Sequence, residues 1–87
     1  MARATLVLPR LLHDSVGVGK VRVEGRTLKE AFEDAYRKLP TLRQHLCVEG
    51  GAFRPHVLCF LNDDRRPLDT PLEDGDEILI AQAISGG

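Results

Sequence analysis

The sequence predicts an α+β domain: a mixed sheet of four to five strands with one main helix packed on one face. Three observations carry this. Lys20-Val21-Arg22-Val23-Glu24 alternates polar and apolar residues, the period of a half-exposed strand. Thr27 to Leu39 repeats apolar residues at helical spacing behind an N-terminal capping signal. Apolar runs at His56–Leu61 and Ile78–Ala81 then supply strands on the far side of the helix.

Ala4-Thr5-Leu6-Val7-Leu8 is apolar and β-branched and reads as the first strand, with Leu6 and Leu8 toward the core and Thr5 and Val7 away from it. Pro9 closes it, because proline has no ladder donor. Arg10 to Ser15 is a connection whose shape the residues leave open, and Val16-Gly17-Val18-Gly19 is a flexible loop or turn. Lys20–Glu24 is the second strand, Val21 and Val23 inward, in an antiparallel hairpin with the first.

In Thr27-Leu28-Lys29-Glu30, the Thr27 hydroxyl is placed to cap the Glu30 amide and the Glu30 carboxylate to reach back to the Thr27 amide. Leu28, Ala31, Phe32, Ala35 and Leu39 form one apolar stripe. Lys29, Glu33, Asp34, Arg37 and Lys38 form a solvated face, its cations near the negative helix end. Pro40 stops the helix. Thr41 to Leu46 has room for a short helical turn, and Glu49 to Ala52 is a loop.

His56–Leu61 is the third strand, and Asn62-Asp63-Asp64 the turn after it. Alternation sends Val57, Cys59 and Leu61 to the core and Leu58 and Phe60 to the other face; the competing reading of so short an apolar run makes Phe60 core. Arg65–Leu68 allows only a short edge strand, and Thr70-Pro71-Leu72 is a further turn. Glu73-Asp74-Gly75-Asp76-Glu77 gathers four carboxylates around one glycine. Such a cluster suits an acid–base pair or a cation, but Asp-Gly before a strand is first of all a turn. Ile78 and Ile80 face the core and Leu79 and Ala81 face away. The last strand is apolar enough to be central, parallel to the first. That arrangement is the β-grasp, or ubiquitin-like, fold. It spans residues 1–82, leaving 83–87 as a tail.

With 43% hydrophobic and 29% charged residues the chain has globular composition. Its 12 basic and 13 acidic residues give a net charge of −1, without the basic surplus of a nucleic-acid binder. No apolar run reaches membrane-spanning length. Pro9, Arg10, His13 and Asp14 break the first apolar stretch too early for a signal peptide, so the expected compartment is the cytoplasm. Cys47 and Cys59 lack metal-site spacing and read as small buried hydrophobes, with His13, His45 and His56 scattered; a metal site built from them is the remote alternative. No catalytic constellation stands out.

The tail, Ala83-Ile84-Ser85-Gly86-Gly87, ends on two glycines. One reading is a frayed, poorly ordered end. The other is a thin flexible arm that threads a narrow channel and presents the Gly87 carboxylate to another enzyme.

The sequence resembles the MoaD/ThiS family of ubiquitin-like sulfur carriers. The resemblance rests on Leu72-Glu73-Asp74-Gly75-Asp76-Glu77-Ile78, Ile80, Asn62, the capped helix Thr27 to Leu39 and Gly86-Gly87. Gln82 departs from it, since members often carry proline before the tail; this bears on the stiffness of the tail. Leu8-Pro9-Arg10-Leu11-Leu12 and the Phe53-Arg54 lead-in to the third strand look more like carriers serving cysteine or related sulfur-metabolite synthesis than like the small subunit of molybdopterin synthase. The resemblance implies a carrier, not an enzyme, with no resident cofactor and no metal. A partner resembling ubiquitin-activating enzymes adenylates Gly87 with ATP, a sulfur donor converts the acyl-adenylate to a thiocarboxylate, and a sulfur-accepting synthase receives the sulfur, in a cysteine-, thiamin- or molybdopterin-type pathway. Alternatives are a tail inserted permanently into a molybdopterin-synthase-like large subunit, a modifier conjugated to lysines through Gly87, and a plain interaction domain. Strand alternation also predicts a docking patch of Val7, Leu58, Phe60 and Leu79 on the face away from the helix.

Overall fold

A computed structural model describes residues 1–50 and 52–82. The strands are β1 (Ala2–Val7), β2 (Lys20–Gly25), β3 (Val57–Leu61), β4 (Asp64–Arg65) and β5 (Asp76–Gln82); the helices are α1 (His13–Val16), α2 (Leu28–Lys38) and α3 (Pro40–Leu46). They form one sheet in the order β2-β1-β5-β3-β4. β1 pairs antiparallel with β2 and parallel with β5, and β3 runs antiparallel to both β5 and β4. The mixed sheet with its main helix on one face is the β-grasp arrangement expected from the sequence. The expected tail, residues 83–87, and Gly51 lie outside the described residues.

The β1–β2 pair forms at the predicted faces, with Ala4, Leu6, Leu8 and Val23 buried and Val21 packed against the core. The strand itself runs from Ala2 to Val7, earlier than the predicted Ala4–Leu8. The connection is built rather than loose. A 3-10 turn at Arg10–Leu12 drops Leu12 into the core, α1 follows, and Gly17 ends it at φ +97°, a conformation glycine adopts without steric cost. The predicted flexible stretch at Val16 to Gly19 is thus half helix end.

Helix α2 begins at the predicted cap: the Thr27 hydroxyl accepts from the Glu30 amide at 3.3 Å. The reciprocal half of the capping box differs. The Glu30 carboxylate accepts from the Arg26 amide at 2.8 Å, one residue before the expected Thr27. The next two orphan amides are met from outside the helix, Leu28 N–H donating to the Thr70 carbonyl and Lys29 N–H to that of Leu68. Segment 66–72 therefore works as the floor of the helix start.

Leu28, Ala31, Phe32 and Ala35 are buried as predicted, while Leu39 is only partly so. Asp34, assigned to the solvated face, is instead the buried charged residue of the described chain, 8% exposed. Its carboxylate accepts from the Glu24 amide at 2.9 Å, from Arg37 at 2.9 Å and from Lys38 at 3.1 Å. Helical spacing could not show this, because the partner amide belongs to β2. Pro40 ends α2 and occupies the first turn of α3, where its missing N–H costs nothing. The short turn expected at Thr41–Leu46 is a seven-residue helix. α3 adds Leu42 and Leu46 to the same core as α2. Phe32 sits at its centre, edge-on to Phe53 at 5.2 Å and tilted to Tyr36 at 6.2 Å.

β3 alternates as predicted, with Val57 and Leu61 buried, Cys59 against the core, and Leu58 and Phe60 on the outer face. The turn after it is tighter than expected. Asn62 (φ 48°) and Asp63 (φ 73°) alone make a two-residue hairpin loop, the left-handed pair that matches strand twist. Asp64 is thereby released into β4, and Arg66–Leu68 is not strand.

Two measurements test this core. Phe32→Ala should lower the unfolding free energy by about 3–5 kcal/mol in denaturant titration, since it removes a large buried ring. Asp34 should steepen the acid limb of stability. Burial raises its pKa, but the Glu24 amide, Lys38 and Arg37 outweigh that and hold the folded value below 3.8. A depressed folded pKa contributes stability that is complete above the unfolded value and is lost as the pH falls through the folded one. Asp34→Asn should therefore flatten the loss of stability below pH ~4 relative to wild type.

Candidate functional site: the outer sheet face and the root of the tail

β5 lies between β1 and β3, so its last residue, Gln82, leaves from the middle of the sheet. Gln82 is paired with Val57 at the start of β3, and Val7 with Leu79 two rungs before Ala81. The predicted tail residues Ala83, Ile84, Ser85, Gly86 and Gly87 would continue from this point, outside the described residues.

The four residues predicted for the outer face are brought together there. Val7 is the register partner of Leu79, and Leu79 of Phe60, so the three form one row across β1, β5 and β3. Leu58 stands two rungs nearer the end of β5, opposite Ala81. All four are half-buried. They make a shallow strip, shielded in part by one another. Helices α2 and α3 both lie in the core on the other side, and no described element covers this one.

The strip has a basic rim that sequence reading missed. Lys20 is the partner of Val7 at one end of the row and Arg65 that of Phe60 at the other, while Arg22 stands beside Thr5, whose partner on β5 is Glu77. The signal was present, since Lys20 and Arg22 alternate with the inward valines; what was missing was the register that sets them beside Val7 and Thr5.

The acidic turn is occupied by hydrogen bonds within the fold. Asp76 accepts from the Glu73 amide at 2.8 Å and from the Asn62 side chain at 2.9 Å, Asp74 from the Arg3 amide at 2.9 Å, and Asn62 Oδ1 from the Glu77 amide at 3.0 Å. These bonds clamp the start of β5 to the β3–β4 hairpin and to β1. No cluster that could hold a metal ion occurs among the described residues. Both cysteines are free thiols. Burial pushes Cys59 up to about 11, so its nucleophilic thiolate is scarce. Tyr36, raised first by burial, bonds the buried Cys47 sulfur at 3.3 Å. An open cleft of about 740 Å³, lined by Met1, Glu24, Arg26, Glu30 and Tyr36 among others, lies at the start of β1 and the end of β2, the far end of the sheet from Gln82. No described helix is long and apolar enough to cross a membrane.

A comparison with curated proteins by sequence finds no match. Solved structures do match in fold. SAMP1 from Haloferax volcanii aligns with a TM-score of 0.89 at 22% identity, over 99% of this chain and 100% of that one. A chain of the Amycolatopsis orientalis BexX/CysO complex aligns at 0.82 with 24% identity, over 97% and 99%. CysO of Mycobacterium tuberculosis, described as an antigen, aligns at 0.80 with 24% identity, over 93% and 99%. At such identities the likeness speaks for the β-grasp fold. The sequence profile of the ThiS family matches residues 19–87, from the start of the β2 hairpin arm through Gly86-Gly87. The chain belongs to the ThiS family, within the MoaD/ThiS group of ubiquitin-like sulfur-carrier proteins.

Proposed function

We propose that this chain is a sulfur carrier whose reactive group is the carboxylate of Gly87. The observation that supports the reading is the family match, which extends to residue 87 and takes in both glycines. A carboxylate is a poor electrophile, because the charge shared by its oxygens opposes attack and neither oxygen is a good leaving group. Activation must therefore come from a partner. An E1-like adenylating enzyme holds ATP; a Gly87 oxygen attacks the α-phosphorus and pyrophosphate leaves. Hydrosulfide, the simplest sulfur donor, then attacks the acyl carbon and AMP leaves, giving a thiocarboxylate. A sulfur-accepting synthase takes that sulfur, in a pathway of the cysteine, thiamin or molybdopterin type. The chain contributes a handle and the group acted upon, and the partners contribute the catalysis.

Docking falls to the strip of Val7, Leu58, Phe60 and Leu79, beside the root of the tail. A partner that grips it can draw Gly87 into its active site. The basic rim of Lys20, Arg22 and Arg65 suits a partner whose apolar contact is ringed by acidic groups, which steer encounter more than they add affinity. The similar CysO chain that stands in a complex with BexX fits a fold that works by docking. A second reading, conjugation to lysines through Gly87, is favoured by the likeness to SAMP1, described as small archaeal modifier protein 1.

Intact mass spectrometry of the protein from its native host decides between these. A carrier shows a form heavier by one sulfur in place of one oxygen, and a modifier shows lysine-linked adducts. Deleting Gly87, or Gly86→Val, should abolish both, with a stability change below about 0.5 kcal/mol as for other terminal positions. Phe60→Asp should leave a folded, soluble protein that supports no pyrophosphate release with its activating enzyme; normal activation, or an unfolded protein, overturns the assignment of the docking strip.

A further inference from the structure

β2 is an edge strand, and its open side is closed by a helix instead of a neighbour. The Leu8 amide donates to the Gly19 carbonyl at 2.9 Å, which makes Leu8 and Gly19 a hydrogen-bonded pair and sets the alternation for the whole β1–β2 ladder. The backbone groups of Val21, Val23 and Gly25 thus face β1, and those of Arg22 and Glu24 face outward. Outward groups on an edge are a template for another strand. Here side chains of α2 occupy two of these four groups, and a third takes the next amide past the strand. Glu24 N–H donates to Asp34 at 2.9 Å, the Arg22 carbonyl accepts from Lys38 at 2.7 Å, and just past the strand Arg26 N–H donates to Glu30 at 2.8 Å.

The spacing explains why one helix can do this. Glu30, Asp34 and Lys38 are four apart and form one ridge, advancing about 6 Å per step. Alternate strand residues advance about 6.7 Å. The ridge therefore keeps step with Arg26, Glu24 and Arg22, running antiparallel to them. Gly25 permits the approach: a Cβ there would come within 2.7 Å of the Ala31 nitrogen and 2.8 Å of the Glu30 Cβ. At the opposite edge β4 has only two residues, with Arg66-Pro67 after it, and offers little to pair with.

We propose that the Glu30–Asp34–Lys38 ridge is a surrogate strand that denies the β2 edge to a second copy of this chain. A second copy is the occupant that β2 fits. Paired antiparallel about Val23, two β2 strands set Arg22 opposite Glu24 twice, opposite charges on directly opposed residues. The outward groups of Arg22 and Glu24 then meet each other in place of Lys38 and Asp34. The inference does not depend on the carrier reading, and for any role it leaves the outer face, not the edge, as the surface on offer.

The test combines light scattering and amide hydrogen exchange on the full chain. In wild type, the Glu24 amide should exchange at least ~10-fold more slowly than the neighbouring edge amide of Arg22, because a bonded amide must open first. The triple variant Glu30→Ala, Asp34→Ala, Lys38→Ala should form a concentration-dependent dimer in which the Arg22 and Glu24 amides become protected together. Equal exchange of the two amides in wild type overturns the proposal. So does a folded triple variant that stays monomeric at all concentrations. Should the triple variant fail to fold, the wild-type exchange comparison and the single variant Lys38→Met, with a raised dimer fraction expected and an unchanged one contrary, still decide.

Discussion

The parallel pairing of β1 with β5 is the constraint on which the rest depends. It joins the first strand to the last and puts both in the middle of the sheet. The ladder Leu6–Ile78 is buried on the helix side, where Leu6, Ile78 and Ile80 are at most 1% exposed. The hairpin of β1 and β2 cannot share a core with β3 until β5 is in place between them. The same pairing fixes where the last described residue stands: Gln82 ends a strand flanked by β1 on one side and β3 on the other. The acidic turn serves this pairing, since Asp74 and Gly75 bond the Arg3 backbone and Asp76 bonds Asn62, locking β5 in register with both flanks.

A consequence is that the core and the half-buried apolar strip lie on opposite faces of the sheet. The core is enclosed between the sheet and α2, α3 and the Leu12 plug. The outer face contributes Val7, Leu79, Phe60 and Leu58 to no core, and among the described residues no helix lies on it. Both edges are blunted, one by brevity and one by the ridge of α2. Of the two thiols, one is buried against Tyr36 and burial pushes the other up to about 11.

Local chemistry is legible in a sequence, and here it sufficed for most of the fold. The Thr27 cap, the stripe of Leu28, Ala31, Phe32 and Ala35, the alternation of Val21 with Val23 and of Val57 with Leu61, and the Asp74-Gly75 turn each depend on residues within a few positions, and each stands where its pattern places it. The same alternation set Val7, Leu58, Phe60 and Leu79 on one face. Glycine spacing and the turn-strand pattern carried the family resemblance.

Tertiary structure decided whatever required two distant segments at once. Asp34 looks solvated by helical period, yet the Glu24 amide, ten residues away, draws it inside. Glu30 takes the Arg26 amide, and the Thr70 and Leu68 carbonyls, some forty residues on, take those of Leu28 and Lys29. The basic rim exists only once register sets Lys20 beside Val7 and Arg65 beside Phe60. The sequence by itself determined which residues are apolar on which face, since side-chain period follows from backbone geometry. Which polar groups meet was left to the packed chain, because a hydrogen bond between distant residues is specified by position in space and leaves no period along the sequence.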